Sequence, residues 1–115
     1  MIGRLRGTLV AVGIDTVLID VGGVGYDVSV TGRTFLELPS VGSEVTMYTH
    51  LHVREDQMAL FGFSTADDRD LFRLLLGVSG VGPKVGLAIL ATMSADDLRT
   101  VVATDDVDAL TAVPG

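Results

Sequence analysis

The chain has 115 residues, 48% of them hydrophobic and 20% charged, which suits one ordinary domain or two small ones and excludes a disordered chain. It contains no cysteine, which excludes disulfides and thiolate metal sites. Its net charge of −7 argues against a broad basic surface for nucleic acid. No run of about 18 uncharged apolar residues is present, so we predict a soluble, cytoplasmic protein without membrane association.

The first half of the chain, up to about Phe63, has a hydrophobic period of two, which is typical of strands with one buried face. In "EVTMYT", for example, Val45 and Met47 alternate with Thr46 and Tyr48. Glycine and proline separate such segments. The pattern predicts strands at 2–12, 15–21, 24–30, 44–54 and 58–63 and a short helical turn at 33–37. Five short strands favour a small closed barrel, because closure removes exposed sheet edges.

The second half has the period of helices. The segment "STADDRDLFRLLL" opens with residues suited to a helix start, and a second helix is predicted from Pro83. Further helices are predicted from about Ser94 and at 105–111. The predicted apolar stripe of the first helix consists of Leu71, Leu74, Leu75 and Val78. We therefore predict an α+β chain, all-β then all-α, with domains at 1–63 and 64–115.

The stretch "GVSGVGPKVGLAIL", residues 77–90, places a glycine-rich turn before the helix that carries the only lysine of the chain. Free amides at a helix N-terminus bind anions, and glycine lets a phosphate approach the backbone. Lys84 can add a charge contact. A plain turn between two packed helices explains the same spacing equally well. A nucleotide-binding phosphate loop is excluded, because Pro83 stands where that motif needs lysine and no Ser or Thr follows Lys84.

Other residues are weaker candidates for a functional site when they are judged by residue type alone. Glu55 and Asp56 lie between two predicted strands, where a hairpin tip and ordinary solvated acids are expected. His50 and His52 share a strand face, as two metal ligands would, but no third ligand stands out beyond those two acids, and we predict no metal site. No nucleophile lies with a base in a recognisable pattern, so we predict no catalytic residue and no cofactor.

Several separated segments resemble the RuvA family, whose members bind four-way Holliday junctions during branch migration. The similar segments are "MIGRLRG", "VGGVGYDV", "TH" followed by "VRED", "LFGF" and "GVGPKVGLAIL", in the family's order. The resemblance implies a five-stranded OB-fold barrel and then a helix-hairpin-helix domain. A second hairpin would begin at "LTAVPG", so we expect a fragment or a truncated product of a longer chain. Gly86 departs from the usual alanine and is expected to loosen its helix by up to about 1 kcal/mol.

The resemblance also implies the site and its partners. The expected DNA-binding residues are Ser79, Gly80, Val81, Gly82, Pro83, Lys84, Arg54, Pro114 and Gly115. Glu55 and Asp56 match an acidic pin at the junction centre, where like-charge repulsion would keep DNA strands apart. Expected partners are four-way junction DNA, a homotetramer or octamer of this chain, the hexameric ATPase motor RuvB and the junction resolvase RuvC. The chain itself is expected to be no enzyme and to act at the nucleoid in recombination, DNA repair and the SOS response.

The sequence leaves two alternatives open. An acidic protein-interaction module that never touches DNA explains the net charge more simply. An OB-type single-strand binder is disfavoured by the aromatic fraction of 5%, since base stacking needs exposed rings.

Overall fold

The structure, a computed structural model, describes residues 2–92. Five strands and three helices occupy these residues in the order β1 (Arg4–Val12), β2 (Thr16–Val21), β3 (Val24–Val30), α1 (Gly32–Leu36), β4 (Glu44–Val53), β5 (Met58–Phe63), α2 (Ala66–Leu76) and α3 (Pro83–Thr92). The chain forms two compact units, which divide between Ala66 and Asp67. The helices predicted beyond residue 92 lie outside the described residues.

The five strands form a closed barrel in the order β1-β2-β3-β5-β4. β1 pairs with both β2 and β4, and β4 pairs with β5, all antiparallel. The ring closes where β3 and β5 run parallel, with Ser29 opposite Phe61 and Val30 opposite Gly62. A short helix, α1, lies between β3 and β4 in the sequence. The predicted fold class, an OB-type barrel followed by helices, is confirmed.

Alternate residues of the strands point into the barrel, because successive side chains of a strand point to opposite faces. The buried cluster inside consists of Leu5, Leu9, Val17, Ile19, Val28, Val30, Val45, Met47 and Leu60. One interior position is polar: Thr49 is fully buried. Its hydroxyl donates to the Ile2 carbonyl at 2.7 Å and its N–H donates to the Gly3 carbonyl at 3.0 Å. These bonds satisfy the buried hydroxyl and fix the segment that leads into β1.

The second unit contains α2 and α3. In α2, Leu71, Phe72 and Leu75 are buried, whereas Leu74 is 53% exposed. The predicted stripe was therefore wrong at Leu74. Because residues of a helix are about 100° apart, a buried face that includes Phe72 and Leu75 turns position 74 outward. Within residues 2–92, no helix is both long and apolar enough to cross a membrane.

Gly62 is expected to be intolerant of a side chain. A Cβ at this position would meet the Met47 sulfur and would lie 2.5 Å from Val28 Cγ1. Both neighbours are buried inside the barrel, so a methyl group would force them apart. We predict that Gly62→Ala lowers the free energy of unfolding by about 1–3 kcal/mol, measured by urea denaturation. Gly32→Ala is the matched control, since no atom lies within 4 Å of its Cβ position. Equal stability of the two variants would contradict this packing argument.

Candidate nucleic-acid interface

The turn between α2 and α3 is held by its own backbone. Hydrogen bonds run from Gly77 N–H to the Leu74 carbonyl, from Val78 N–H to the Leu75 carbonyl and from Val81 N–H to the Val78 carbonyl, at 3.1, 3.0 and 3.1 Å. Gly80, inside the last of these turns, has φ +85°, a conformation that L side chains rarely adopt. A glycine at this position therefore lets the chain reverse direction before α3 begins.

α3 begins at Pro83, a residue suited to the first helical position because it has no N–H to satisfy. The helical hydrogen bonds begin with Gly86 N–H, which donates to the Gly82 carbonyl at 2.9 Å. The N–H groups of Lys84 and Val85 precede this bond, and no group within residues 2–92 accepts from them. The Lys84 side chain is exposed in the same turn. The start of α3 thus presents free N–H groups, the positive end of the helix dipole and an ammonium group.

The surface of the turn is open at its glycines. No protein atom lies within 4 Å of the position that a Cβ would occupy at Gly80 or Gly82. Ser79 is exposed beside them. Val81 differs, because its side chain is buried and its N–H already donates to Val78. Val81 therefore anchors the turn through its buried side chain and its backbone hydrogen bond.

α3 packs against α2 at Gly86. The position of a Gly86 Cβ would lie 3.0 Å from Phe72 Cε1 and 4.0 Å from Val81 Cγ1. Gly86 and Phe72 are both buried. The Phe72 ring thus occupies the space beside Gly86. A side chain at position 86 would compete with the Phe72 ring for this space, and this packing offsets part of the helix stability that glycine is expected to lose.

The hairpin between β4 and β5 lies in the other compact unit. Val53 is opposite Met58 in the register, and Arg54 N–H donates to the Gln57 carbonyl at 2.8 Å. Glu55 and Asp56 are the two central residues of this turn, and both are exposed. The tip of the hairpin therefore presents two adjacent carboxylates to solvent.

Arg54 is also exposed and begins this turn. Its Nε donates to Nε2 of His52 at 3.2 Å. Spacing alone did not reveal this bond. The ring centroids of His50 and His52 are 6.2 Å apart. Within residues 2–92, no three His, Asp or Glu side chains come close enough to hold a metal ion.

Aromatic side chains offer little surface for stacking. Among the four Phe and two Tyr, Phe61, Phe63 and Phe72 are buried, and Phe35 is the one exposed ring. The tyrosines are half-buried.

Two of the expected DNA-binding residues, Pro114 and Gly115, lie outside the described residues.

Comparison with known families assigns the barrel. The family model for the RuvA N terminal domain matches residues 1–62. The chain belongs to the RuvA family. The model for a SAM-like helix-hairpin-helix tandem matches residues 72–115, which include the glycine-rich turn and α3.

Curated relatives match along the whole chain. The protein named Holliday junction branch migration complex subunit RuvA from Marinomonas sp. (strain MWYL1) is 48% identical over 115 residues, which are 100% of this chain and 58% of that protein. Proteins of the same name from Chromobacterium violaceum and Symbiobacterium thermophilum are 49% and 52% identical over 100% of this chain, and 58% and 56% of their own lengths are covered. The chain therefore spans a little more than half the length of these relatives.

The Gly86–Phe72 contact predicts how the hairpin responds to larger residues. Gly86→Ala gains about 1 kcal/mol of helix propensity but places a methyl against Phe72, so we expect little net change in stability. Gly86→Val is expected to lower the free energy of unfolding by about 1–3 kcal/mol through overpacking. Ala91→Val is the control for β-branching, because Ala91 is exposed on the same helix. A Gly86→Val variant as stable as Ala91→Val, measured by thermal and urea denaturation, would contradict the contact.

Proposed function

We propose that this chain binds four-way DNA junctions through backbone contacts that do not depend on base sequence, as the RuvA subunit of a branch migration complex. The observation that carries the proposal is the start of α3, where Gly80, Gly82 and Lys84 surround N–H groups that precede the first helical hydrogen bond. Relatives that match the whole chain are named as subunits of the Holliday junction branch migration complex. Their name supports the junction as the ligand.

The chemistry of the turn suits a DNA phosphate. Backbone N–H groups and one ammonium group at a helix N-terminus bind an oxyanion without reading the bases. Open space at Gly82 leaves room for a phosphate to approach the backbone. Contacts of this kind fit a protein that must hold the shape of a branch while the base pairs exchange.

The net charge of −7 limits what one turn can do. A chain without a basic surface gains little non-specific affinity, so binding depends on a few local contacts. Several copies arranged around a four-armed substrate would add their contacts at high effective concentration. A symmetric homotetramer, or an octamer with two tetramers on one junction, fits this requirement.

The acidic hairpin tip is proposed as a pin at the centre of the junction. Glu55 and Asp56 are adjacent and exposed. Two carboxylates repel phosphates, so they would keep the exchanging strands apart and direct them into separate paths. Arg54 at the base of the tip would hold a phosphate beside them. Pro114 and Gly115 would begin a second backbone-binding hairpin.

The barrel domain would extend over residues 1–63 and the helix-hairpin-helix domain over 64–115. The chain would have no catalytic activity and no cofactor of its own, with ATP hydrolysis supplied by the hexameric motor RuvB. RuvC would resolve the junction. The complex would act in the cytoplasm at the nucleoid, in recombination, DNA repair and the SOS response.

Lys84 provides the first test. We predict that Lys84→Glu lowers affinity for a four-way junction by at least about tenfold, because it replaces a charge-assisted phosphate contact with repulsion. A plot of the logarithm of the binding constant against the logarithm of the salt concentration should also be less steep, by about one unit of slope for each subunit that contacts DNA. A gel-shift titration at several salt concentrations, with linear duplex of equal length beside the junction, measures both. Lys84→Arg, which keeps the charge, and Ala91→Glu, which adds an acid elsewhere on α3, are the controls.

Gly82→Ala separates binding from folding. Its Cβ would meet no protein atom, so the melting temperature should not change, whereas a methyl group among the free amides should weaken junction binding by about three- to tenfold. If wild-type protein shows no preference for the junction over duplex, the proposed function is wrong, and an acidic protein-interaction module is then favoured. If Gly82→Ala and Lys84→Glu bind like wild type, DNA does not contact this turn.

Substitutions in the acidic tip are expected to strengthen binding to duplex DNA, whereas the substitutions at Gly82 and Lys84 weaken binding to the junction. We predict that the double variant Glu55→Gln/Asp56→Asn binds linear duplex several-fold more tightly, because two repelling charges are removed. Its preference for the junction should fall in the same competition titration. The variant Asp27→Asn/Glu37→Gln removes the same charge from two other exposed acids and should keep the preference. Equal behaviour of the two double variants would show that net charge, and not the position of the tip, controls discrimination.

A further inference from the structure

Both histidines of the chain lie on the outer face of β4, in line with Arg54. Their ring centroids are 6.2 Å apart, and the rings of His52 and Phe61 form an edge-to-face pair, with centroids 6.5 Å apart and planes at 69°. Phe61 is buried and belongs to the neighbouring strand β5. This contact fixes the His52 ring next to the acidic hairpin tip.

The Arg54–His52 bond has a defined direction. Arg54 Nε is always a donor, so Nε2 of His52 must be the acceptor and carries no proton. Protonation at Nε2 removes the acceptor and places a second positive charge within about 3 Å of the guanidinium group. An oxyanion that approaches both groups relieves this repulsion and accepts a hydrogen bond from each.

The groups around His52 do not supply that anion directly. On β5, the residue opposite His52 is Ala59 and its diagonal neighbour is Phe61, neither of them charged. β1 pairs with β4 on its other edge, and its nearest charged residue in the register is Arg4, opposite Tyr48. On the chain of His52 itself lie His50, Arg54 and then the tip acids Glu55 and Asp56.

We propose that His52 and Arg54 form a paired phosphate site on the barrel, in which His52 is protonated when DNA is bound, so that DNA binding takes up protons. The inference rests on the proposed DNA-binding function and adds a phosphate contact and a pH dependence to it. The ligand is a backbone phosphate of the DNA arm that passes the hairpin tip.

The sign of the pH dependence follows from linkage. If the complex holds more protons than its separate components, affinity rises as the pH falls. Between pH 5 and 8 histidine is the side chain that ordinarily titrates, and this chain has two histidines and no cysteine. Aspartate, glutamate, tyrosine, lysine and arginine ordinarily titrate outside this range. A pH effect within it therefore points to the two histidines, once the terminal amine is controlled for.

The test is a titration of a fluorescent four-way junction and of linear duplex at about pH 8 and about pH 6, at constant ionic strength. Wild-type affinity for the junction should rise by about three- to tenfold at the lower pH. His52→Gln should bind equally at both pH values, at the wild-type level of the higher pH. His52→Arg should also lose the pH response but bind tightly at both. His50→Gln is the matched control on the same face, and the terminal amine is present in every variant.

Each outcome decides one point. A pH response that survives in His52→Gln while the junction is still preferred would overturn the paired site and leave the proposed function intact. Loss of the response in His50→Gln, but not in His52→Gln, would assign it to the other histidine and likewise overturn the proposal. A wild-type protein with no junction preference at either pH would overturn the proposed function and the paired site together.

Discussion

The barrel is held closed by a short parallel pairing between β3 and β5, and this pairing depends on the missing side chain of Gly62. Met47 and Val28 fill the space beside Gly62. With β5 held between β3 and β4, the β4–β5 register is fixed along its whole length, from Tyr48 opposite Phe63 to Val53 opposite Met58. The last pair leaves four residues for the turn. The position of the two carboxylates at the tip is thus a consequence of packing inside the barrel.

An acidic chain can still bind phosphate if the attraction is local. Salt screens charges beyond about 8 Å at physiological ionic strength, so distant carboxylates contribute little at one contact. The N–H groups at the start of α3, for which residues 2–92 supply no acceptor, and the helix dipole act within the first turn of the helix. Lys84, the only lysine of the chain, lies in this turn. Under the proposed function, the net charge would disfavour DNA elsewhere on the surface and so favour one DNA shape over others without adding affinity.

Much of the fold could be predicted from the sequence, because its strands have clear period-two patterns separated by glycine and proline. The predicted strands agree with the observed ones to within two residues, as at β1, which begins at Arg4. The hairpin tip and the start of α3 at Pro83 were also predictable, since turn residues and proline act locally. Leu74 was misplaced because helical spacing gives a stripe but not its centre, which tertiary packing of Phe72 decides. The Arg54–His52 bond escaped prediction because strand spacing gives proximity and not the direction of a hydrogen bond.

The affinity that the backbone amides of the α2–α3 turn can give for a ligand depends on how well the turn is ordered before the ligand binds. Free N–H groups on a flexible loop must be ordered when a ligand binds, and that cost lowers affinity. Here the turn is ordered beforehand by three backbone hydrogen bonds and by the buried Val81 side chain. Val81 and Phe72 both lie beside Gly86, so the contact between α2 and α3 reaches the base of the turn. If the turn binds DNA as proposed, Val81 and Phe72, whose buried side chains offer no donor, would control binding through the geometry of the turn.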